Sequence, residues 1–257
     1  MHWSKKATVK TKPKGKIKIA LLSDIHGNSW ALEKVLDDIH KRQPCMILNL
    51  GDTYYGPLDP KGTHDLIKSI DIISISGNED RLILEKDHTG TTMDYVRKEI
   101  SDVALDWLAS LQDTIVPVPG IFICHGSPSS DITYLTEQIS DGHVTSRSQD
   151  ELQHLVQGVN EMIIFCGHSH IQRVVQIPGK VIVNPGSVGC PAFEDEFPVY
   201  HRIENFCNFA RYSLVDLNEG KISIDQVAVP YDTDKAVCCA LKNNRPDWAK
   251  WLKTGRV

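Results

Sequence analysis

The sequence predicts an α/β fold, either one mixed sheet or two stacked sheets with helices outside. Two observations carry this. Short apolar, β-prone runs alternate with longer segments of helical spacing. The first half reads βαβαβ, and the second half is richer in hairpins. No linker, repeat or low-complexity block interrupts the chain. Residues 16–257 read as one domain behind a flexible, basic tail at 1–15.

The elements follow in order. Lys16–Ser23, KIKIALLS, is a strand, and Ser29–Arg42 places Leu32, Val35, Leu36 and Ile39 at helical intervals. Cys45–Leu50 is a second strand, HDLIKSI a short helix, and Asp71–Ser76 a third strand. The stretch TMDYVRKEISDVALDWLASL reads as one helix through Leu111. TIVPV and GIFICHG form a hairpin turning at Pro119-Gly120. RSQDELQHLVQG is helical, EMIIFCG is a strand, and RVVQIPGKVIVN is a hairpin around Pro178-Gly179. A last hairpin turns at Asn218–Gly220, and Asp232–Lys253 reads as helix.

The chain has 257 residues, 41% of them hydrophobic, and a net charge of −5. That length can bury a substantial core. No apolar run reaches the roughly 20 residues of a membrane span. The lysine-rich start lacks the apolar stretch of a signal peptide. Seven cysteines, with Cys238 and Cys239 adjacent and no C-x-x-C, argue against a disulfide framework or a structural zinc site. The expectation is a cytoplasmic protein with free thiols. A slightly acidic balance without a basic, aromatic-laced stripe speaks against nucleic acid as a partner.

Chemistry gathers where the strands end. Asp24 and His26 follow the first strand in SDIHGN, and Asp52 follows the second in NLGDTYYGP. Asn78, Glu79 and Asp80 follow the third in SGNED. His125 follows in CHGSP, and His168 and His170 in CGHSH. Ligands of α/β sheets collect at the carboxyl ends of strands. One such turn alone is ordinary loop chemistry; five together point to a site. Carboxylate, imidazole and amide-oxygen donors without thiolate suit a pair of first-row metal ions. Two ions about 3.5–4 Å apart need a bridging group, and Asp52, whose turn lies between the others in sequence order, is the natural bridge.

These motifs resemble the calcineurin-like metallophosphoesterases: DIH, GD, GNED, CHG and GHSH stand in that family's order and spacing. YYGPLDP, HGSP, NPGSVG and VPYDTDKA extend the resemblance from about Lys16 to the end, toward the compact bacterial phosphodiesterases and dinucleoside-tetraphosphate hydrolases. The resemblance implies a four-layer α/β/β/α sandwich of two mixed sheets flanked by helices. It implies one ion held by Asp24, His26 and His170, and a second completed by Asn78, His125 and His168, with Asp52 between them. Manganese is the first expectation, with iron, zinc or nickel as alternatives. The implied activity is attack of a metal-bridging hydroxide on a phosphodiester, nucleotide or dinucleoside polyphosphate. The catalytic positions are Asn78, Glu79 and Asp80, and the substrate is small. Homo-oligomerisation stays open.

One position departs. Many relatives read Gly-Asn-His-Asp, and here the histidine is Glu79. Either metals and solvent suffice for a good leaving group, the preferred reading, or a Glu79 of raised pKa is the acid. Other residues have plainer readings. Asn28 or Ser29 is a better helix cap than Asp24. Asn78 alone would be a turn residue, and Gly186 is turn chemistry near a bracing Asn184. Tyr54, Tyr55 and Arg173 read as packing or surface. A non-catalytic scaffold, as in the retromer subunit of this superfamily, would be expected to carry broken metal motifs. A phosphoprotein phosphatase would carry Asp-Arg-Gly after Asp52, which is absent. A nuclease on long DNA would need more basic charge.

Overall fold

The computed structural model describes residues 16–85 and 87–257; the basic stretch 1–15 lies outside them. In chain order the elements are β1 (Ile17–Leu22), α1 (Ser29–Arg42), β2 (Met46–Asn49), α2 (Pro60–Lys68), β3 (Ile73–Ser74) and α3 (Asn78–Leu84). Next come α4 (Thr91–Glu99), α5 (Asp102–Ala109), β4 (Thr114–Val118), β5 (Ile121–Cys124), β6 (Glu137–Ser140), β7 (His143–Ser146) and α6 (Gln149–Leu155). Then follow β8 (Ile163–Phe165), β9 (Gln172–Ile177), β10 (Lys180–Pro185), β11 (Ala192–Asp195) and β12 (His201–Glu204). The chain closes with β13 (Ala210–Asn218), β14 (Lys221–Val229), α7 (Asp234–Lys242) and α8 (Pro246–Thr254).

Two five-stranded mixed sheets result, ordered β14-β13-β1-β2-β3 and β4-β5-β8-β10-β9. In the first, β1, β2 and β3 run parallel, and the β13–β14 hairpin joins antiparallel on the other side of β1; in the second, β5, β8 and β10 run parallel between antiparallel edges β4 and β9. The period-2 alternation of a strand sorts its residues between two faces. Ile19 and Leu21 of β1 join Leu48, Ile123, Phe165 and Val183 in the core between the sheets. Ala20 and Leu22 face the other way, onto Leu32 and Val35 of α1. On the far side, Ile164 and Ile182 face Leu152 of α6. Helix, sheet, sheet and helix are thus the four layers, as the sequence resemblance implied.

Three expectations need correction. The single helix through Leu111 is two, because Ser101 caps α5 by accepting from the Ala104 amide. The carboxy-terminal helix is also two: Asn244 sits at φ 55°, and Pro246 begins α8. The short helix read from His64 starts earlier, at Pro60, where Asp59 accepts from the Gly62 amide. Helix α3 and the hairpins β6–β7 and β11–β12 went unread.

Candidate metal centre

Parallel strands β1, β2 and β3 end together, and β5 and β8 of the second sheet end beside them. The turns interlock through the backbone. The Asp24 amide donates to Gly51 O at 3.0 Å, and the His26 amide to Asp52 O at 3.0 Å. The Gly167 amide donates to His125 O at 2.7 Å. The His168 amide donates to Asp24 Oδ2 at 3.1 Å, which ties the two sheets at the site.

Two clusters form. Asp24, His26 and His170 make the first; Asp52, His125 and His168 make the second. His170 Nε2 is 3.3 Å from Asp24 Oδ1, and His125 Nε2 is 3.2 Å from Asp52 Oδ2. Asn78 Oδ1 lies 3.0 Å from His125 Nε2, so the seven ligand-type residues expected from the sequence converge. Asn78 starts α3 instead of serving as a left-handed turn residue.

The imidazoles are aimed. His26 Nδ1 bonds the Tyr55 carbonyl at 2.8 Å, His125 Nδ1 that of Leu50 at 2.8 Å, and His170 Nδ1 that of Cys190 at 2.7 Å. A carbonyl only accepts, so each Nδ1 carries the hydrogen and each Nε2 points into the site. This is the usual arrangement of metal-binding histidines. The His168 ring packs between His125 and Tyr134, with centroids 5.0 and 4.7 Å away. Asp24 Oδ1 is fully buried without a hydrogen-bond partner of good geometry. A buried carboxylate oxygen calls for positive charge beside it, a metal ion or, in the metal-free protein, the His170 ring 3.3 Å away. On this donor chemistry the residues fit divalent metals.

Backbone strain marks the same residues. Asp24, His26, Asp52, His168 and His170 have φ between 52° and 66°. Half of the ten positive-φ non-glycine residues among the described ones are therefore candidate ligands. Each costs on the order of 1–3 kcal/mol, and such strain persists where function holds it.

Electrostatics divides the rings. Burial disfavours charge on His125, but the facing Asp52 and Asp24 outweigh it and raise the ring to about 10. Burial likewise opposes charge on His170, and Asp24 raises it to about 10. His26 and His168 are lowered to about 4 by burial and by a neighbouring imidazole. Asp24 stays well below the usual carboxylate range: burial pushes it up, and the facing histidines, His170 foremost, pull it further down.

The remaining sequence candidates separate. The Glu79 amide donates to Asp52 Oδ1 at 2.9 Å, and its side chain lines the site cavity. Asp80 is fully buried, accepting from Thr53 N at 2.9 Å and Gly77 N at 3.1 Å. It braces the Asp52 turn against the Asn78 turn. Asn184 braces the GHSH turn by donating to Gly167 O at 2.8 Å. Asn28 caps α1. Tyr54 is buried and bonds His64 through its hydroxyl at 2.7 Å, and Arg173 pairs with Glu137 at 2.6 Å.

The site opens into a cavity of about 240 Å³ whose wall includes Tyr55, Phe193, Arg245, Trp248 and Trp251. Sequence reasoning took Tyr55 for packing and missed the other four. Two tryptophans at i and i+3 on α8 look like ordinary core, and only the tertiary structure turns that helix toward the site.

The model of the calcineurin-like phosphoesterase superfamily domain matches residues 17–204, more than half of the chain. The chain belongs to the calcineurin-like phosphoesterase superfamily. It is a metal-dependent phosphoesterase, and the two clusters together with the family indicate a binuclear metal centre. An uncharacterized protein of Methanocaldococcus jannaschii is 29% identical over 255 residues, covering 90% of this chain and 94% of that one. A metallophosphoesterase from Sphaerobacter thermophilus superposes with a TM-score of 0.73 at 20% identity, covering 94% of this chain and 100% of that one. A hypothetical protein of Pyrococcus horikoshii gives 0.71 at 19% identity, covering 93% and 98%. These structures share the fold of this phosphoesterase. No helix among its described residues is long and apolar enough to cross a membrane.

Proposed function

We propose that this phosphoesterase hydrolyses a small phosphodiester, a nucleotide or a dinucleoside polyphosphate, through one domain spanning residues 16–257. The observation that carries the reading is the pair of ligand clusters, their Nε2 atoms turned inward at the foot of a cavity walled by aromatic residues. Asp24, His26 and His170 would hold one divalent cation; Asn78, His125 and His168 the other; Asp52 would serve both. When bound, such a pair supplies Lewis acidity toward phosphoryl oxygens and a nucleophile from water near neutral pH. Manganese is the first choice, with iron, zinc or nickel as alternatives.

The chain's own residues do the positioning. The carbonyls of Tyr55, Leu50 and Cys190 fix three imidazoles. The Glu79 amide holds the Asp52 carboxylate, and Asp80 acts as a positioning residue through backbone amides. Glu79 stands where many relatives carry a histidine that would donate a proton to the leaving group or stabilise the phosphoryl oxygens. An ionised Glu79 does neither, so a leaving group that departs as a stable anion fits best. That favours aryl esters and anhydride-linked nucleotides. All seven cysteines are free, in keeping with a reducing, cytoplasmic setting.

The test is a panel of p-nitrophenyl phosphate, bis-p-nitrophenyl phosphate and diadenosine tetraphosphate, with protein freed of metal and reloaded with manganese, nickel or zinc. Turnover of the diester or the dinucleotide only after reloading is expected. Two bound ions with no turnover of any substrate would overturn the proposal.

A further inference from the structure

A second cavity of about 590 Å³ adjoins the site, sharing Asn78, Glu79, His168 and Asp195 with the first. That volume falls in the range of small-molecule sites. Its outer walls are Ile132, from the loop after β5, and Phe197, from the tip of β11–β12. They are 64% and 79% exposed, large apolar side chains left in water. Both are held there. Asp131, next to Ile132, is ion-paired to Arg81 at 2.7 Å, and the Phe197 amide donates to Asp195 Oδ1 at 2.9 Å. Apolar side chains pinned outward around a concave site mark a binding surface.

The polar lining narrows the occupant. Glu79 and Asp195 stand where the cavities meet, and the Asp195 carboxylate would repel a further phosphate there. Beyond them Thr133, Gln138 and the guanidinium of Arg147, whose Nε donates to Tyr134 O at 3.1 Å, offer hydrogen bonds among the apolar walls. A planar, hydrogen-bonding ring suits this mostly apolar lining.

We propose that this second cavity binds the nucleoside of a nucleotide ester whose phosphorus lies at the metal centre, with Phe197 and Ile132 as specificity-determining residues. This rests on the phosphodiesterase reading and narrows its substrate class. Aromatic side chains bind bases of any sequence by stacking on their faces. Phe197 is the stacking surface, and Ile132 adds apolar wall to the same cavity.

The test compares two esters of equal charge and identical leaving group, p-nitrophenyl thymidine 5′-phosphate and p-nitrophenyl methyl phosphate, on the manganese-loaded full chain. The nucleoside ester is expected to be favoured in kcat/KM by about ten-fold or more, the scale of a lost stacking partner. Phe197→Ala with Ile132→Ala should bring the ratio close to one, and Phe197→Tyr should keep it. Calorimetric binding of thymidine 5′-monophosphate to the same proteins should weaken about ten-fold in the double variant. A wild-type ratio near one, or a ratio and nucleotide affinity unmoved by the double variant, overturns the inference. Should neither ester turn over, the phosphodiesterase reading fails, and nucleotide binding alone still decides the role of the cavity.

Discussion

His26 and His170 face each other nitrogen to nitrogen, Nε2 to Nε2 at 3.1 Å, while the other nitrogen of each ring is committed to a backbone carbonyl. Two lone pairs so close need a positive charge between them, a proton or a metal ion. In the metal-free protein the proton sits on His170, which burial opposes but Asp24 raises to about 10; His125 is likewise raised to about 10 against burial, by Asp52. Ligation requires neutral imidazole, so loading must expel these protons. At pH 8 about two protons from these rings, and about half a proton from Glu79, which is raised to about 8, should leave as both sites fill, and the release should fade as pH passes 10. Apparent affinity for the pair of ions should therefore climb with pH across that window. Calorimetry in buffers of different ionisation enthalpy counts the protons. Release of fewer than about one would mean that the rings are already neutral.

Asp52 is the residue assigned to both ions, whereas His26 belongs to one cluster. Asp52→Asn should weaken both sites together, and His26→Ala should mainly empty one. Elemental analysis after dialysis gives the stoichiometry. Two tightly held ions in the Asp52 variant would mean that another residue joins them.

Gly77 shows how closely the backbone wraps this carboxylate. A Cβ there would collide with Asp52 Oδ1 and stand 2.5 Å from the Asp52 amide nitrogen. Overpacking of this kind costs on the order of 1–3 kcal/mol. Gly77→Ala should lower Tm by roughly 3–10 °C at this chain length, and reduce metal affinity as Asp52 is displaced. At Gly158 an added Cβ meets nothing within 4 Å. Gly158→Ala should leave both melting temperature and metal affinity near wild type. Equal effects at the two positions would remove the special role of the Asp52 turn.

The ligand turns were legible because each is local: an apolar strand, a glycine and a polar residue within a few positions, repeated five times. Their strained φ values were not legible, since Asp24 or His168 alone carries no sign of left-handed backbone. Helix α3 hid behind its own motif. GNED reads as a turn, yet Asp80 reaches back to the Gly77 amide and starts a seven-residue helix. The cavity walls were the least legible part. Phe193, Phe197 and Trp248 come from a hairpin and a terminal helix that no motif links to the strand ends. Their place at the site is a matter of long-range packing alone.

Glu79 lies where the two cavities meet, beside Asp52. Burial raises its carboxyl, and Asp52 and Asp80 add to the shift, to about 8 in the metal-free protein. Cations bound next to it reverse that balance, because a nearby positive charge favours the carboxylate. In the loaded enzyme Glu79 is then ionised and has no proton for a leaving group. General acid catalysis is worth roughly 10²–10⁴-fold where it is needed, so the enzyme should favour aryl over alkyl esters. Glu79→His should raise the rate on alkyl esters far more than on aryl ones. The measurement is the ratio of kcat/KM between p-nitrophenyl and alkyl esters at saturating metal, in both proteins. An unchanged ratio would show that position 79 does not serve the leaving group. Glu79→Gln separates the remaining case: loss of alkyl-ester activity with aryl activity kept would make the glutamate itself the acid, and parallel activity on both would leave that task to metal and solvent.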